Sequence, residues 1–203
     1  MESLDHTRFE LIIQAMTGLI DITIAKGGTP AKIQVQIVDL CTGMFMALAT
    51  LGALYHRKGT NIGQLVETSL LESTLTMTAN LSSIYLMSGK APSGMMSRNP
   101  QAVPSQVFRS KDSTFALVDR WDKFCAAIGK EEWTTDPDMS RNQYRVENYD
   151  EVEKMIEEIK QTKTTDEWLA IFAEHDIAAN RINTMEEAFE DPGVKAVDMV
   201  KTL

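Results

Sequence analysis

Asp39 stands at the join between an alternating segment, Lys32–Ile37, and a long apolar run, Leu40–Arg57. Alternation that puts Ile33, Val35 and Ile37 on one face and Gln34 and Gln36 on the other is a strand pattern, and the run after it reads as a helix. A carboxylate at such a join takes the N-cap, where it accepts hydrogen bonds from free backbone N–H groups and the helix dipole favours its charged form. Two uses follow. One is a structural cap, the commoner fate of Asp in this place, and the other is a nucleophile or base. Thr42 and Gly43, just inside the helix, are small enough to let a substrate come close.

The other reactive side chains form no constellation. His6, His56 and His175 are scattered, with no Cys, His or carboxylate at metal-ligand spacing, so no metal is expected. His56 falls in the last turn of its helix, where a cation complements the dipole. Cys41 sits near a helix start, a place that suits a nucleophile, but both it and Cys125 read first as reduced, buried thiols in apolar helices. Gly27-Gly28 is too short to cradle a phosphate, and neither a P-loop nor a dinucleotide fingerprint occurs. The twelve methionines, mostly at helical spacing, read as core filling.

Positioning Asp39 falls to the elements around it. Residues 9–18 read as an apolar helix stopped by Gly18, followed by a Lys26–Pro30 turn and the strand into Asp39. The apolar helix after Asp39 ends in His56, Arg57 and Lys58, with Gly59 as its stop. Gln64–Thr68 is a second short strand candidate, and Ser69 with Glu72 is a capping box opening a helix that reaches Met87. Ser88–Pro104 is rich in Ser, Gly and Pro and reads as a linker. Beyond it, Ser105–Arg109 and Ser113–Val118 form a hairpin, helices follow near 120–129, 148–162 and 165–175, and Ile177–Ile182 is a strand candidate. Thr164 with Glu167 and Thr184 with Glu187 are further capping boxes. The acidic stretch Glu147–Glu158 reads as a solvated helix face, and Trp133 and Trp168 as packing anchors.

The whole chain sets outer limits. Its 203 residues, 43% hydrophobic and 24% charged, suffice for a buried core. No apolar run reaches the roughly 18 residues of a membrane span, and the first twenty residues carry no apolar signal core. A cytoplasmic protein with no membrane partner is therefore expected. A net charge of −9 argues against a nucleic-acid surface or an anionic membrane surface as partner. Residues 1–100 hold 7 acids and 7 bases, leaving 22 of the 29 acids and 13 of the 20 bases after them. A neutral first half and an acidic second half suggest two units with different jobs.

Three stretches taken in order resemble the family III CoA-transferases: Phe9–Gly18, the approach to Asp39, and His56–Gln64 followed by Ser69-Leu70-Leu71-Glu72. Val103–Phe108 and Ile177–Asp191 look like that family's entry to its small domain and the stretch near that domain's end. The resemblance implies an α/β fold, a partial Rossmann-like large domain (1–87), a linker (88–104) and a small α+β domain with the start of a return linker (105–203). It implies that Asp39 is the catalytic aspartate, which attacks an acyl-CoA thioester to give a mixed anhydride and then an aspartyl-CoA thioester. It also places Thr7, Arg8, Phe9 and Glu10 against CoA, with CoA thioester as substrate, a small carboxylic acid as acceptor and no permanently bound cofactor.

The sibling α-methylacyl-CoA racemases, an alternative activity, carry a proton-transferring histidine at the position of Phe9. A phenylalanine cannot do that work. The family's Rossmann-like unit ahead of the aspartate and its return segment have no counterpart here, so the chain reads as truncated at both ends. The resemblance then implies an interlocked homodimer or a separately encoded N-terminal piece as partner, or, as a further alternative, an inactive remnant with only an assembly role.

Overall fold

Gly18, at a left-handed φ of 77°, turns the first apolar segment from α1 (Glu10–Met16) into α2 (Leu19–Thr23). These open a computed structural model that describes residues 9–25 and 27–201. The chain divides into two units, residues 1–96 and 97–203.

In the first unit α3 (Ile37–Thr60), α4 (Leu70–Met77) and α5 (Ala79–Ser88) follow the first two helices. Ile13, Leu19 and Val38 form its small core, with Ile22, Ile33, Ile37, Leu70 and Leu71 against them. Ser69 caps α4 by accepting the Glu72 N–H at 3.2 Å. The single helix expected over 69–87 is broken at Thr78, whose hydroxyl donates to Leu75 O at 3.1 Å. Gln64–Thr68 forms no strand, and among the described residues this unit has only an isolated bridge, Ala25 to Met95. Extended segments become strands only where a neighbour exchanges backbone bonds with them.

Two further expectations fail at α3. Its 24 residues contain an 18-residue stretch of mean hydropathy 1.8, so by length and composition it is apolar enough to cross a membrane. Charges confined to its two ends, Asp39 and the pair Arg57 and Lys58, leave that stretch intact. Only Val38 of this helix is fully buried, while Leu40, Met44, Leu48 and Leu51 are exposed. Met16, Met44, Met87, Met96, Met185 and Met199 are likewise exposed, so methionine is not mainly core filling here.

The second unit is a three-stranded antiparallel sheet, β1 (Ser105–Arg109), β2 (Thr114–Val118) and β3 (Ala178–Arg181), in that spatial order. Pairing of Phe108 with Phe115 and of Gln106 with Leu117 puts those four residues on the covered face. Onto it pack α6 (Trp121–Ala127), a 3-10 turn at Glu131–Thr134, α7 (Asn142–Glu147), α8 (Tyr149–Lys160) and α9 (Thr165–Glu174). Tyr149, Val152, Ile156 and Lys160 form the buried stripe of α8, so the acidic residues between them face water. The outer edge of β1 is closed by side chains: Val107 N–H donates to Ser97 Oγ and Arg109 N–H to Glu157 Oε1, at 3.1 and 3.0 Å. Of the three expected capping boxes two form in full, at Thr164–Glu167 and at Thr184–Glu187, the latter opening α10 (Met185–Glu190), which α11 (Pro192–Ala196) follows; at Ser69 the Glu72 carboxylate instead accepts from the Ser69 hydroxyl, at 2.8 Å.

Phe108 is buried between Phe115 and Phe124, with ring centroids 6.1 and 6.3 Å away. Phe108→Ala should therefore lower the stability of this unit by about 3–5 kcal/mol. Urea unfolding followed by tryptophan fluorescence measures the loss, because Trp121, Trp133 and Trp168 all belong to the second unit.

Candidate active site around Asp39

Asp39 lies inside the first turn of α3, three residues after the N-cap Gln36. This corrects two expectations. The residue is not the N-cap, and Lys32–Ile37 is not a strand. Both differences have one cause, a pair of polar side chains one turn apart on α1.

Gln14 takes the part of a strand neighbour. Its side-chain carbonyl accepts the Ile33 N–H at 2.9 Å, and its amide donates to Ile33 O at 3.2 Å. These are the two bonds that one residue of a paired strand would exchange. The chain then bends at Gln34 and Val35, and Ile37 N–H closes onto Val35 O at 2.7 Å, so the alternation cannot propagate as a ladder. Glu10 takes the part of a cap. Its Oε1 accepts the Val38 N–H at 3.4 Å, one of the helix-start donors that an N-cap side chain ordinarily satisfies. With that donor met from α1, the helix can begin at Ile37, and Asp39 moves three residues, nearly one turn, inward.

Gln14 also donates to Glu10 Oε1, at 2.9 Å, so the two side chains form a single brace. Both are buried. Among the described residues Glu10 Oε2 has no hydrogen-bond partner. Of the four residues expected to lie against CoA, Glu10 is thus turned inward and engaged with the backbone. Phe9 is 71% exposed at the start of α1, and Thr7 and Arg8 lie outside the described residues.

The core fixes the direction in which Asp39 emerges. Val38 is fully buried against Ile13 and Leu19. Asp39 is about 100° further round the helix and is exposed. Its carboxylate stands beside the partly positive end of α3. One turn on, Gly43 has nothing within 4 Å of where a Cβ would be, and Thr42 turns its hydroxyl back to Val38 O at 2.7 Å. The turn that follows Asp39 therefore presents only small groups beside it, with open space at Gly43.

No second reactive group joins it within α3. His56 is about 25 Å further along the helix at 1.5 Å per residue. Cys41 is half-buried and free, and Cys125, in the other unit, is buried so that its thiol is pushed up to about 12 and stays protonated. The arrangement suits a lone carboxylate nucleophile on a rigidly held backbone. Sequence reasoning missed the brace. Its signal was present as Glu10 and Gln14, two polar residues four apart on an otherwise apolar helix face.

The sequence profile of CoA-transferase family III matches residues 3–203. An acyl-CoA transferase of Fusarium pseudograminearum is 31% identical over 95% of this chain and 43% of its own length. An acetyl-CoA:oxalate CoA-transferase of Acetobacter aceti is 27% identical over 96% of this chain and 51% of its own. A CAIB/BAIF family protein from Brucella suis superposes with a TM-score of 0.72 at 30% identity, covering 93% of this chain and 51% of that one. Rv3272 from Mycobacterium tuberculosis does so at 0.79 and 23%, which shows the shared α/β fold. The chain spans about half the length of the curated relatives it matches.

Gln14→Ala would leave both the N–H and the C=O of Ile33 without their partners. Unmet buried groups cost about 1–3 kcal/mol each. Hydrogen exchange at the Ile33 and Val38 amides should accordingly speed up by about tenfold or more, while exchange in β1 and β2 stays as it was.

Proposed function

This chain belongs to CoA-transferase family III, and we propose that Asp39 is the acyl-accepting nucleophile of a CoA transfer from an acyl-CoA to a small carboxylic acid. The observation that carries this reading is an exposed carboxylate at the start of α3, on backbone braced by Glu10 and Gln14, with open space at Gly43.

The chemistry balances without a further catalyst. An Asp39 carboxylate oxygen attacks the thioester carbonyl, the C–S bond breaks, and CoA leaves as thiolate, giving a mixed anhydride. The thiolate then attacks the Asp39 carbonyl, releasing the first acid and leaving an aspartyl-CoA thioester. The acceptor carboxylate attacks that thioester and forms a second anhydride, again releasing thiolate. Attack of the thiolate on the acceptor's carbonyl yields the new acyl-CoA and restores the Asp39 carboxylate. Partial positive charge at the α3 N-terminus favours the anionic forms along this path.

Thr7, Arg8 and Phe9 are proposed CoA contacts, the exposed Phe9 ring supplying an apolar surface, while Glu10 serves through the brace. Phe9 has no proton to exchange, which favours transfer over racemisation at the α-carbon. The relatives' names pair acetyl-CoA with oxalate and succinate with glutarate, so small carboxylic acids are the acceptor class to try. We read the exposed apolar side of α3 as a surface covered by protein, either a second copy in an interlocked homodimer or a separately encoded N-terminal piece.

Incubation with acetyl-CoA or succinyl-CoA, a hydroxylamine quench and peptide mass spectrometry test the reading. A hydroxamate should appear on Asp39 and be absent from Asp39→Asn. No adduct on Asp39, together with no CoA binding, would rule out this activity for the chain alone.

A further inference from the structure

Lys160 closes α8 with its side chain turned into the core of the second unit, and none of the residue is exposed. Among the described residues its Nζ has no hydrogen-bond partner. Instead it lies 4.1 Å from the ring of Trp168, 4.2 Å from Phe172, 4.7 Å from Phe124 and 5.8 Å from Phe115. The Trp168 indole N–H donates to Lys160 O at 2.7 Å, so one wall of this box is pinned to the lysine's own backbone. Nothing in the proposed CoA transfer uses the group.

An ammonium has three donors to satisfy, and among the described residues none finds an acceptor. Ring faces attract a cation, but the desolvation of an unpaired buried charge is the larger effect. Burial accordingly pushes the Lys160 amine down to about 6, with Glu157 acting weakly the other way. Glu157, one turn back on α8, is already engaged by the Arg109 N–H. The surrounding elements β2, α6 and α9 present Phe115, Phe124, Trp168 and Phe172, none of which titrates. From α6 comes also Cys125, a thiol that stays protonated. Lys163 stands 5.7 Å from the Trp168 ring and adds only like charge.

We propose that Lys160 makes the core of the second unit a pH-sensitive switch: its amine is neutral inside the aromatic box, and proton uptake on acidification expels it and loosens α8 from α9. The sign follows from where the proton is held. In the unfolded chain the amine keeps its ordinary value of 10.5, whereas the folded core refuses the proton until about pH 6. Between those limits the unfolded state binds more protons, so stability rises with pH and is lost as pH falls. Within that window the unfolding constant changes about tenfold per pH unit. Below it both states are protonated and the dependence ends.

Urea unfolding of the full chain, read by the three tryptophans of this unit, tests the proposal. Between about pH 7 and about pH 8.5, below the range where the unfolded Cys125 thiol titrates, wild type should show the tenfold-per-unit slope. Lys160→Met should flatten it and raise the urea midpoint at pH 7. Lys160→Arg, which cannot shed its proton, should unfold at a lower midpoint than wild type throughout. Equal slopes in wild type and Lys160→Met would overturn the switch, because the rings would then be holding a permanent cation. So would a Lys160→Met variant that fails to fold, or a Lys160→Arg variant as stable as wild type.

Discussion

The first unit depends on a side-chain amide doing the work of a β-strand. Gln14 meets both backbone groups of Ile33, and Glu10 meets a helix-start donor at Val38, so two residues of α1 decide the path of the chain from Ile33 to Asp39. A strand neighbour would have fixed the same segment through several residues. Here one amide and one carboxylate oxygen suffice, because each buried backbone group left unmet would cost more than the bond returns. The exposed position of Asp39 follows from this, with Val38 drawn into the small core beside it. The brace is also economical in chain length, since it is drawn from two positions of a seven-residue helix.

The second unit is ordered by a different interaction. Its sheet and helices meet through aromatic rings, Trp121 stacking on Trp133 and Trp168 on Phe172 at centroid distances of 5.9 and 5.6 Å. Two long basic side chains are buried among them. Arg145 is satisfied, donating to Met139 O at 2.6 Å and Val103 O at 3.2 Å while its guanidinium lies 4.2 Å from the Trp121 ring. Lys160 is enclosed by rings, and among the described residues its Nζ has no hydrogen-bond partner. Arginine keeps its charge and finds carbonyls for it, whereas lysine can give up its proton, and each burial suits the residue that occupies it.

Much of this was legible in the sequence where the cause is local. Capping boxes are spelled out within four residues, and the two at Thr164 and Thr184 form as read. The hairpin of β1 and β2 follows from alternation around a polar turn, and the buried stripe of α8 from its period. What failed depends on distant partners. Lys32–Ile37 has the alternation of a strand, but Gln14, 19 residues before Ile33, occupies the neighbour's place. Glu10, 28 residues before Val38, lets α3 begin early and carries Asp39 off the cap. The break at Thr78 arises in a stretch of good helix formers where a threonine hydroxyl turns back on Leu75 O, which periodicity alone does not reveal. Asp39 itself stood out only through the order of motifs around it, since an aspartate before an apolar helix is ordinary as a cap.

If Asp39 accepts the acyl group, an oxygen of the acceptor acid must end on its carboxylate. If the acceptor acid is labelled with heavy oxygen in both positions, the final thiolate attack leaves one of those oxygens on the carboxylate of Asp39. Mass spectrometry of the peptide bearing Asp39 after a single turnover should show the gain of one heavy oxygen. Formation of the acceptor's CoA ester with no label at Asp39 would contradict the account.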